Sequence, residues 1–186
     1  MPVESEPALE AGDAPPAFSL PGTDGEAYSL ESFADDEALL VVFTCNHCPY
    51  AVAKFDLLND LAAEYESVSV VGINPNDAEN YPDDSFERMQ ELVESGEIAY
   101  DAYLRDESQA VARAYGAVCT PDPFLFAATD DGFELVYQGR LDDALSPEDE
   151  PTRFHVREAI DAVLADDPVD LEWLPSQGCS VKWREA

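Results

Sequence analysis

The sequence predicts an α/β fold: a sandwich of helices around a mixed central sheet. Two continuous apolar runs, residues 38–43 and 68–73, have the length and composition of strands buried on both faces. Residues 49–65 lie between them and carry apolar side chains at steps of three and four, which indicates an amphipathic helix. Residues 124–128 and 134–138 flank an Asp-Asp-Gly turn and predict an antiparallel hairpin. Strand–helix alternation followed by a hairpin predicts parallel and antiparallel pairs in one sheet.

Shorter patterns predict the remaining elements. Residues 17–20 and 27–30 alternate around a turn rich in Gly and Asp, which indicates a small N-terminal hairpin. A short strand is expected within residues 99–104, and further helices over residues 83–94, over 107–115, and from 152 to the Asp-Asp-Pro stop at 166–168. We therefore expect a flexible lead-in over residues 1–16, a single domain over 17–166 and a tail over 167–186.

The charge of the chain restricts its partners and surroundings. Asp and Glu number 41 against 9 Lys and Arg, a formal net charge of -32. Repulsion of this size argues against nucleic acid and against anionic membranes as partners. In molar salt the Debye length falls to about 3 Å, so the composition indicates a halophilic protein of a salt-rich cytoplasm. We expect a cytoplasmic location also because residues 1–10 lack the basic and apolar regions of a signal peptide, and no apolar run has the length of a membrane span.

The motif Cys45-Asn46-His47-Cys48-Pro49 directly follows the first apolar run. At a strand-to-helix junction, the unpaired N–H groups and the helix dipole stabilise a thiolate. A protonated His47 would add to this effect, so we predict a lowered pKa for Cys45. Two cysteines at this spacing indicate redox chemistry. We assign Cys45 as the attacking nucleophile and Cys48, expected to be the more buried thiol, as the resolving partner.

A zinc or copper site made of Cys45, His47 and Cys48 is the competing interpretation of the motif. The spacing supplies at most three local ligands, and the sequence has no second Cys-x-x-Cys and no His pair. We therefore predict neither a metal nor an organic cofactor. The other histidine, His155, is expected on a helix surface.

Cys119 and Cys179 are possible additional redox thiols. Cys119 either lies near the Cys45–Cys48 pair or completes the core as a small hydrophobic side chain. Cys179 lies beside a glycine in the tail, where it could resolve a sulfenate, pair with Cys119 or bridge subunits. Alternatively it is a free thiol in a docked tail that Trp173 and Trp183 anchor.

Taken together, these motifs resemble the thioredoxin-like superfamily over roughly residues 12–164. The Cys-x-x-Cys follows the first long strand, and Thr120-Pro121 matches the family's cis-proline loop. Residues 12–20 and 25–30 resemble the beginning of the AhpC/TSA and redoxin branch. The Cys-x-His-Cys-Pro motif and Pro-Ser-Gln-Gly-Cys at 175–179 are similar to a peroxiredoxin-like group within it. The resemblance implies a thioredoxin-like three-layer sandwich with a mixed central sheet and an N-terminal hairpin. It also implies that Thr120 and Pro121 bind an extended substrate.

The resemblance leaves two redox activities to separate. True peroxiredoxins place a threonine three residues before the peroxidatic cysteine and a proline further upstream. Here Thr44 lies four residues before Cys48, and residues 40–43 contain no proline. This favours a thiol–disulfide oxidoreductase over a thiol peroxidase with an antioxidant role. Histidine at position 47 is similar to strongly oxidising relatives, which implies a potential above that of ordinary thioredoxins.

The expected partners follow from this activity. We expect a protein or small-molecule disulfide as substrate and an unidentified thiol as electron donor, with the protein itself a monomer or a weak dimer. Two further classes stay open: a metal-binding or copper-delivery protein, and a redox-inert interaction module that would tolerate loss of Cys45.

Overall fold

The computed structural model describes residues 2–6 and 8–185. Their strands are β1 Val3–Glu4, β2 Ser19–Pro21, β3 Ala27–Ser29, β4 Ala38–Phe43, β5 Val68–Asn74, β6 Ala102–Arg105, β7 Cys119–Thr120, β8 Asp122–Thr129, β9 Gly132–Gln138 and β10 Gln177–Ser180. Their α-helices are α1 Pro49–Val52, α2 Phe55–Glu64, α3 Phe86–Ser95, α4 Ala110–Tyr115 and α5 His155–Leu164. Among the described residues, no helix is long and apolar enough to cross a membrane.

The central sheet has the strand order β6-β5-β4-β8-β9. Strands β4, β5 and β6 run parallel, whereas β8 runs antiparallel to both β4 and β9. The predicted mixed sheet is therefore confirmed, together with the hairpin of β8 and β9 and the N-terminal hairpin of β2 and β3.

Strand β4 is the centre of the fold because both of its faces are buried. Leu39, Val41 and Phe43 belong to one hydrophobic core, which α4 covers. The alternate residues of β4 belong to a second core, which α2 and α5 cover. An unbroken apolar run is what a strand with two buried faces requires. The three-layer α/β sandwich is thus confirmed.

Several helices are shorter than predicted. The long helix expected over residues 49–65 is divided into α1 and α2 at Ala53 and Lys54. At this break the ammonium of Lys54 lies 2.6 Å from Asp142 and donates to the carbonyl of Ala144 at 2.8 Å. Helix α3 begins only after Ser85, whose hydroxyl accepts the backbone N–H of Arg88, so that the preceding residues form a separate 3-10 turn, Pro82–Asp84.

The first and last strands of the described residues, β1 and β10, meet beside the central sheet. Strand β10 pairs antiparallel with β7 on one side and with β1 on the other, which gives a small three-stranded sheet. The predicted lead-in therefore contributes a strand to the fold.

His155, expected at the surface, is 4% exposed, since α5 begins at this residue and packs on the second core.

Candidate redox site

The Cys-x-x-Cys motif lies at the carboxyl end of β4. Cys48 is the residue that precedes α1, and Pro49 takes the first helical position, where its missing N–H is no loss. The chain between the two cysteines folds back so that the N–H of Cys48 donates to Cys45 Sγ at 3.3 Å. The sequence prediction of a strand-to-helix junction at the motif is therefore confirmed.

The cysteine pairing differs from the expected one. Cys48 forms a disulfide with Cys179 of β10, across a Cα–Cα distance of 6.3 Å, and Cys45 is a free, buried thiol beside it. Both cysteines of the motif are buried, Cys45 0% exposed and Cys48 2%, so the expected difference in burial between them is absent. Both belong to one apolar cluster, which includes Ala51 and which Tyr50 and Cys179 contact.

The predicted lowering of the Cys45 pKa is also wrong. Burial raises the pKa of Cys45 to about 11, and the negative charge of Asp84 adds to the increase. Contacts with the Thr120 hydroxyl and with backbone N–H groups of Cys48 and His47 oppose the shift but do not cancel it. The helix dipole and a protonated His47 would favour the thiolate, but desolvation of the buried thiolate outweighs them.

Asp84 is a residue of this site that the sequence did not single out. Its carboxylate is fully buried and accepts the backbone N–H of Asn46 at 2.7 Å and the amide of Asn76 at 2.9 Å. Nδ1 of His47 lies 2.7 Å from Oδ2 of Asp84 in a geometry that is not aligned for a hydrogen bond. The negative charge of Asp84 thus faces both the imidazole and the free thiol.

The cis-proline loop lies across from the motif. The peptide bond between Thr120 and Pro121 is cis, as the resemblance implied. The hydroxyl of Thr120 lies 3.5 Å from Cys45 Sγ, and its carbonyl oxygen lies 3.7 Å from Cys48 Sγ. The loop is therefore in contact with both cysteines of the motif.

The tail occupies the edge of this loop. In the pairing of β10 with β7, Cys179 lies opposite Thr120. Ser176 donates to the carbonyl of Pro121 at 2.7 Å. A Cβ on Gly178 would lie 2.0 Å from the carbonyl oxygen of Thr120, so only glycine allows this close approach. The tail consequently lies where an extended substrate is expected to pair.

Cys119 lies outside the cysteine cluster. Its thiol is fully buried, 3.7 Å from the carbonyl oxygen of Pro121, and burial raises its pKa, with a further contribution from Asp122. This environment is that of a core side chain.

Of the two tail tryptophans, Trp173 packs against both cores, whereas Trp183 is 38% exposed beneath the guanidinium of Arg113 at 4.5 Å.

Three residues of the site could together hold a metal ion. One ligand atom each from Cys45, His47 and Asp84 lies within 4.8 Å of the other two. The metal site considered from the sequence used Cys48, and not Asp84, as its third ligand. Nothing in the sequence distinguishes Asp84 from the exposed Asp83 beside it.

Comparison with known proteins agrees with this architecture. An uncharacterised conserved protein from Geobacillus kaustophilus is 39% identical, with a TM-score of 0.91 over 100% of this chain and 98% of its own. A hypothetical protein from Sinorhizobium meliloti 1021 is 37% identical, with a TM-score of 0.90 over 98% of this chain and 99% of its own. The thioredoxin domain of a thiol-disulfide oxidoreductase from Bacteroides vulgatus shares the fold at 18% identity and a TM-score of 0.57, over 70% of this chain and 89% of its own.

The family assignment comes from the sequence of the domain. No curated protein sequence matches the chain. The model of the AhpC/TSA family matches residues 11–137, which include the Cys-x-x-Cys motif and the cis-proline loop. With a thioredoxin-like fold and a cysteine cluster at the end of β4, the chain belongs to the AhpC/TSA family of thioredoxin-like redox proteins.

Proposed function

We propose that the protein is a cytoplasmic thiol–disulfide oxidoreductase in which Cys48 exchanges disulfides with the substrate and with Cys179. The observation that carries the proposal is the Cys48–Cys179 disulfide beside the cis-proline loop, with the free thiol of Cys45 next to Cys48. This order reverses the roles that the sequence suggested, because Cys48 is the cysteine bonded to Cys179 and burial raises the pKa of the free Cys45 thiol to about 11.

The reaction begins with the reduced protein. The thiolate of Cys48 attacks one sulfur of the substrate disulfide, forms a mixed disulfide and expels the other sulfur, which takes up a proton. The thiolate of Cys179 then attacks Cys48 Sγ, forms the Cys48–Cys179 bond and expels the second substrate thiol. The substrate gains two electrons, the protein loses two, and an external thiol donor reduces the protein again.

Cys45 provides a second route within the protein. As a thiolate, it attacks Cys48 Sγ, forms Cys45–Cys48 and releases the thiol of Cys179. The oxidising equivalents then stay in the motif while the tail is free to leave the cis-proline loop. The high pKa of Cys45 slows this step at neutral pH, so a Cys48–Cys179 bond exchanges with Cys45 only slowly.

The position of the tail supports a substrate that binds in extended form. Strand β10 pairs with Cys119 and Thr120 in the way that the resemblance implies for a substrate strand. It presents Cys179 to Cys48, as a substrate would present its own cysteine. The tail is thus an internal substrate, and a protein substrate has to displace it.

The test is the reduction of a protein disulfide by a dithiol donor in molar potassium chloride. We expect the Cys48→Ser variant to be inactive and the Cys179→Ser variant to accumulate a mixed disulfide between Cys48 and the substrate. The matched control is Cys119→Ser, which removes a buried thiol outside the cluster and should leave the rate unchanged. A mixed disulfide between Cys45 and the substrate that accumulates in Cys48→Ser, together with loss of activity in Cys45→Ser, would restore the order expected from sequence and refute the proposed one.

A thiol peroxidase is the second candidate, and the family and the cysteine pairing both favour it. Attack of the Cys48 thiolate on a peroxide would give a sulfenate and release an alcohol or water. Condensation with the thiol of Cys179 would then release water and leave the observed disulfide. The reduced protein and equimolar hydrogen peroxide in molar potassium chloride separate the two candidates. Thiol loss no faster than that of a free thiol excludes the peroxidase, and loss faster by orders of magnitude establishes it.

A further inference from the structure

We propose that Cys45, His47 and Asp84 form a zinc-binding site that exists while Cys48 is bonded to Cys179. The three side chains come from two separate parts of the chain, the motif after β4 and the 3-10 turn before α3. One thiol sulfur, one imidazole nitrogen and one carboxylate oxygen lie within 4.8 Å of one another. Zinc binds all three atom types, and three protein ligands with one open position are the usual set of a zinc site that exchanges its fourth ligand.

The surroundings hold two of the three ligands in place. Asp84 is fixed by the N–H of Asn46 and the amide of Asn76, and Asn46 is itself held by the hydroxyl of Tyr103 at 2.7 Å. Cys45 is fixed by the N–H of Cys48 at 3.3 Å. Hydrogen bonds of this kind orient metal ligands and strengthen binding.

His47 is the ligand whose imidazole Nδ1 has no hydrogen-bond partner. Its side chain is 33% exposed, and its Nδ1 makes no aligned hydrogen bond although it lies 2.7 Å from Asp84 Oδ2. Two ligands with bonds of about 2.0–2.1 Å to one tetrahedral zinc ion are separated by about 3.3 Å. The imidazole therefore has to retreat from the carboxylate by roughly half an ångström, a shift that rotation of this partly exposed side chain can supply.

The disulfide leaves Cys45 as the thiol available to a metal. Cys48 and Cys179 are bonded to each other, while Cys119 lies outside the cluster. A zinc ion at the site would hold the Cys45 sulfur as a thiolate ligand and so withdraw it from disulfide exchange. Zinc would then favour retention of the Cys48–Cys179 bond, an effect that goes beyond the proposed exchange reaction.

The test uses cobalt as a coloured substitute for zinc, with the oxidised full-length protein in molar potassium chloride. High salt suppresses diffuse binding of cations to a chain of charge -32. We expect a thiolate-to-cobalt charge-transfer band that saturates at one equivalent and disappears when zinc is added. Cys45→Ser and His47→Ala should abolish the band, and Cys119→Ser, which removes the other free thiol, should retain it.

Zinc affinity gives the second measurement, by competition with a chromophoric chelator. Asp84→Asn should weaken zinc binding by at least about tenfold, as should His47→Ala. Asp83→Asn, which changes the neighbouring carboxylate, should leave the affinity unchanged. His47 is partly exposed, so its variant keeps the test valid even if Asp84→Asn fails to fold. Cobalt binding without a thiolate band, or a band that survives both Cys45→Ser and His47→Ala, would overturn the proposal.

Discussion

Replacement of Gly178 by alanine tests whether close packing of the tail on the cis-proline loop stabilises the Cys48–Cys179 bond. The added Cβ would lie 2.0 Å from the carbonyl oxygen of Thr120, against an ordinary contact of about 3.5 Å. The nearest atoms are backbone atoms of Thr120 and Pro121, which cannot swing aside as the end of a flexible side chain can. The tail therefore has to retreat by more than about 1 Å.

The magnitude follows from the cost of overpacking, about 1–3 kcal/mol. Since Cys179 reaches Cys48 only when the tail is docked, this cost reduces the equilibrium constant for the disulfide by roughly 5- to 150-fold. For a two-electron couple, the reduction potential of Cys48–Cys179 should rise by about 20–60 mV.

The assay is a redox titration of the full-length protein against a dithiol buffer in molar potassium chloride, with alkylation and mass analysis of Cys179. Ser180→Ala is the matched control because Ser180 lies on the same strand and is exposed. A potential for Gly178→Ala within about 5 mV of the wild-type value would refute the link between tail packing and the disulfide.

Three further predictions concern stability and are checked by denaturant or thermal unfolding. Asp122 is fully buried, and burial raises its pKa to about 7. The contribution of its protonated form to the free energy of unfolding is complete below pH 3.8 and is lost as the pH rises through 7. Asp122→Asn should therefore gain stability relative to the wild type between pH 4 and pH 8, by on the order of 4 kcal/mol. Lys54→Met leaves the carboxylate of Asp142, 2% exposed, without its partner and should cost about 3–5 kcal/mol. Because the net charge is -32, the thermal midpoint should rise with potassium chloride between about 0.1 M and 1 M, as the Debye length falls from about 10 Å to about 3 Å.

Each of these predictions has its own control. Asp131→Asn, in an exposed turn, should show no pH-dependent gain in stability. An equal gain in stability at pH 4 and at pH 8 in Asp122→Asn would contradict the raised pKa. Arg88→Ala breaks an exposed ion pair with Glu91 and should cost no more than about 1 kcal/mol. A loss of no more than about 1 kcal/mol in Lys54→Met would contradict the buried pair. A thermal midpoint that is flat or falling with salt would contradict the prediction that charge repulsion destabilises the fold at low salt.

The fold could be predicted because its signals are local and redundant. Residues 38–43 are apolar without a break, and a strand with two buried faces requires this pattern. The Cys-x-x-Cys motif directly follows that strand, which places it at the carboxyl edge of the sheet. The cis bond before Pro121 could be expected from family resemblance, whereas sequence statistics favour trans.

The arrangement of the site could not be predicted, because it depends on residues far apart in the chain. Cys48 and Cys179 are separated by 131 residues, and four cysteines allow three complete pairings with no local signal to choose among them. Asp84 is buried and Asp83 is exposed, yet both stand in the same acidic stretch. The pKa of Cys45 was misjudged for the same reason, since its burial and the charge of Asp84 are properties of the folded chain.

The pairing of Cys48 with Cys179 is tested most directly by disulfide mapping of the protein during reoxidation. The fully reduced chain is exposed to a limiting amount of oxidised glutathione in molar potassium chloride, quenched with acid, alkylated and digested. We expect Cys48–Cys179 as the main disulfide, with the alkyl label on Cys45 and Cys119. Recovery of Cys45–Cys48 as the main disulfide, with Cys179 labelled, would contradict this pairing.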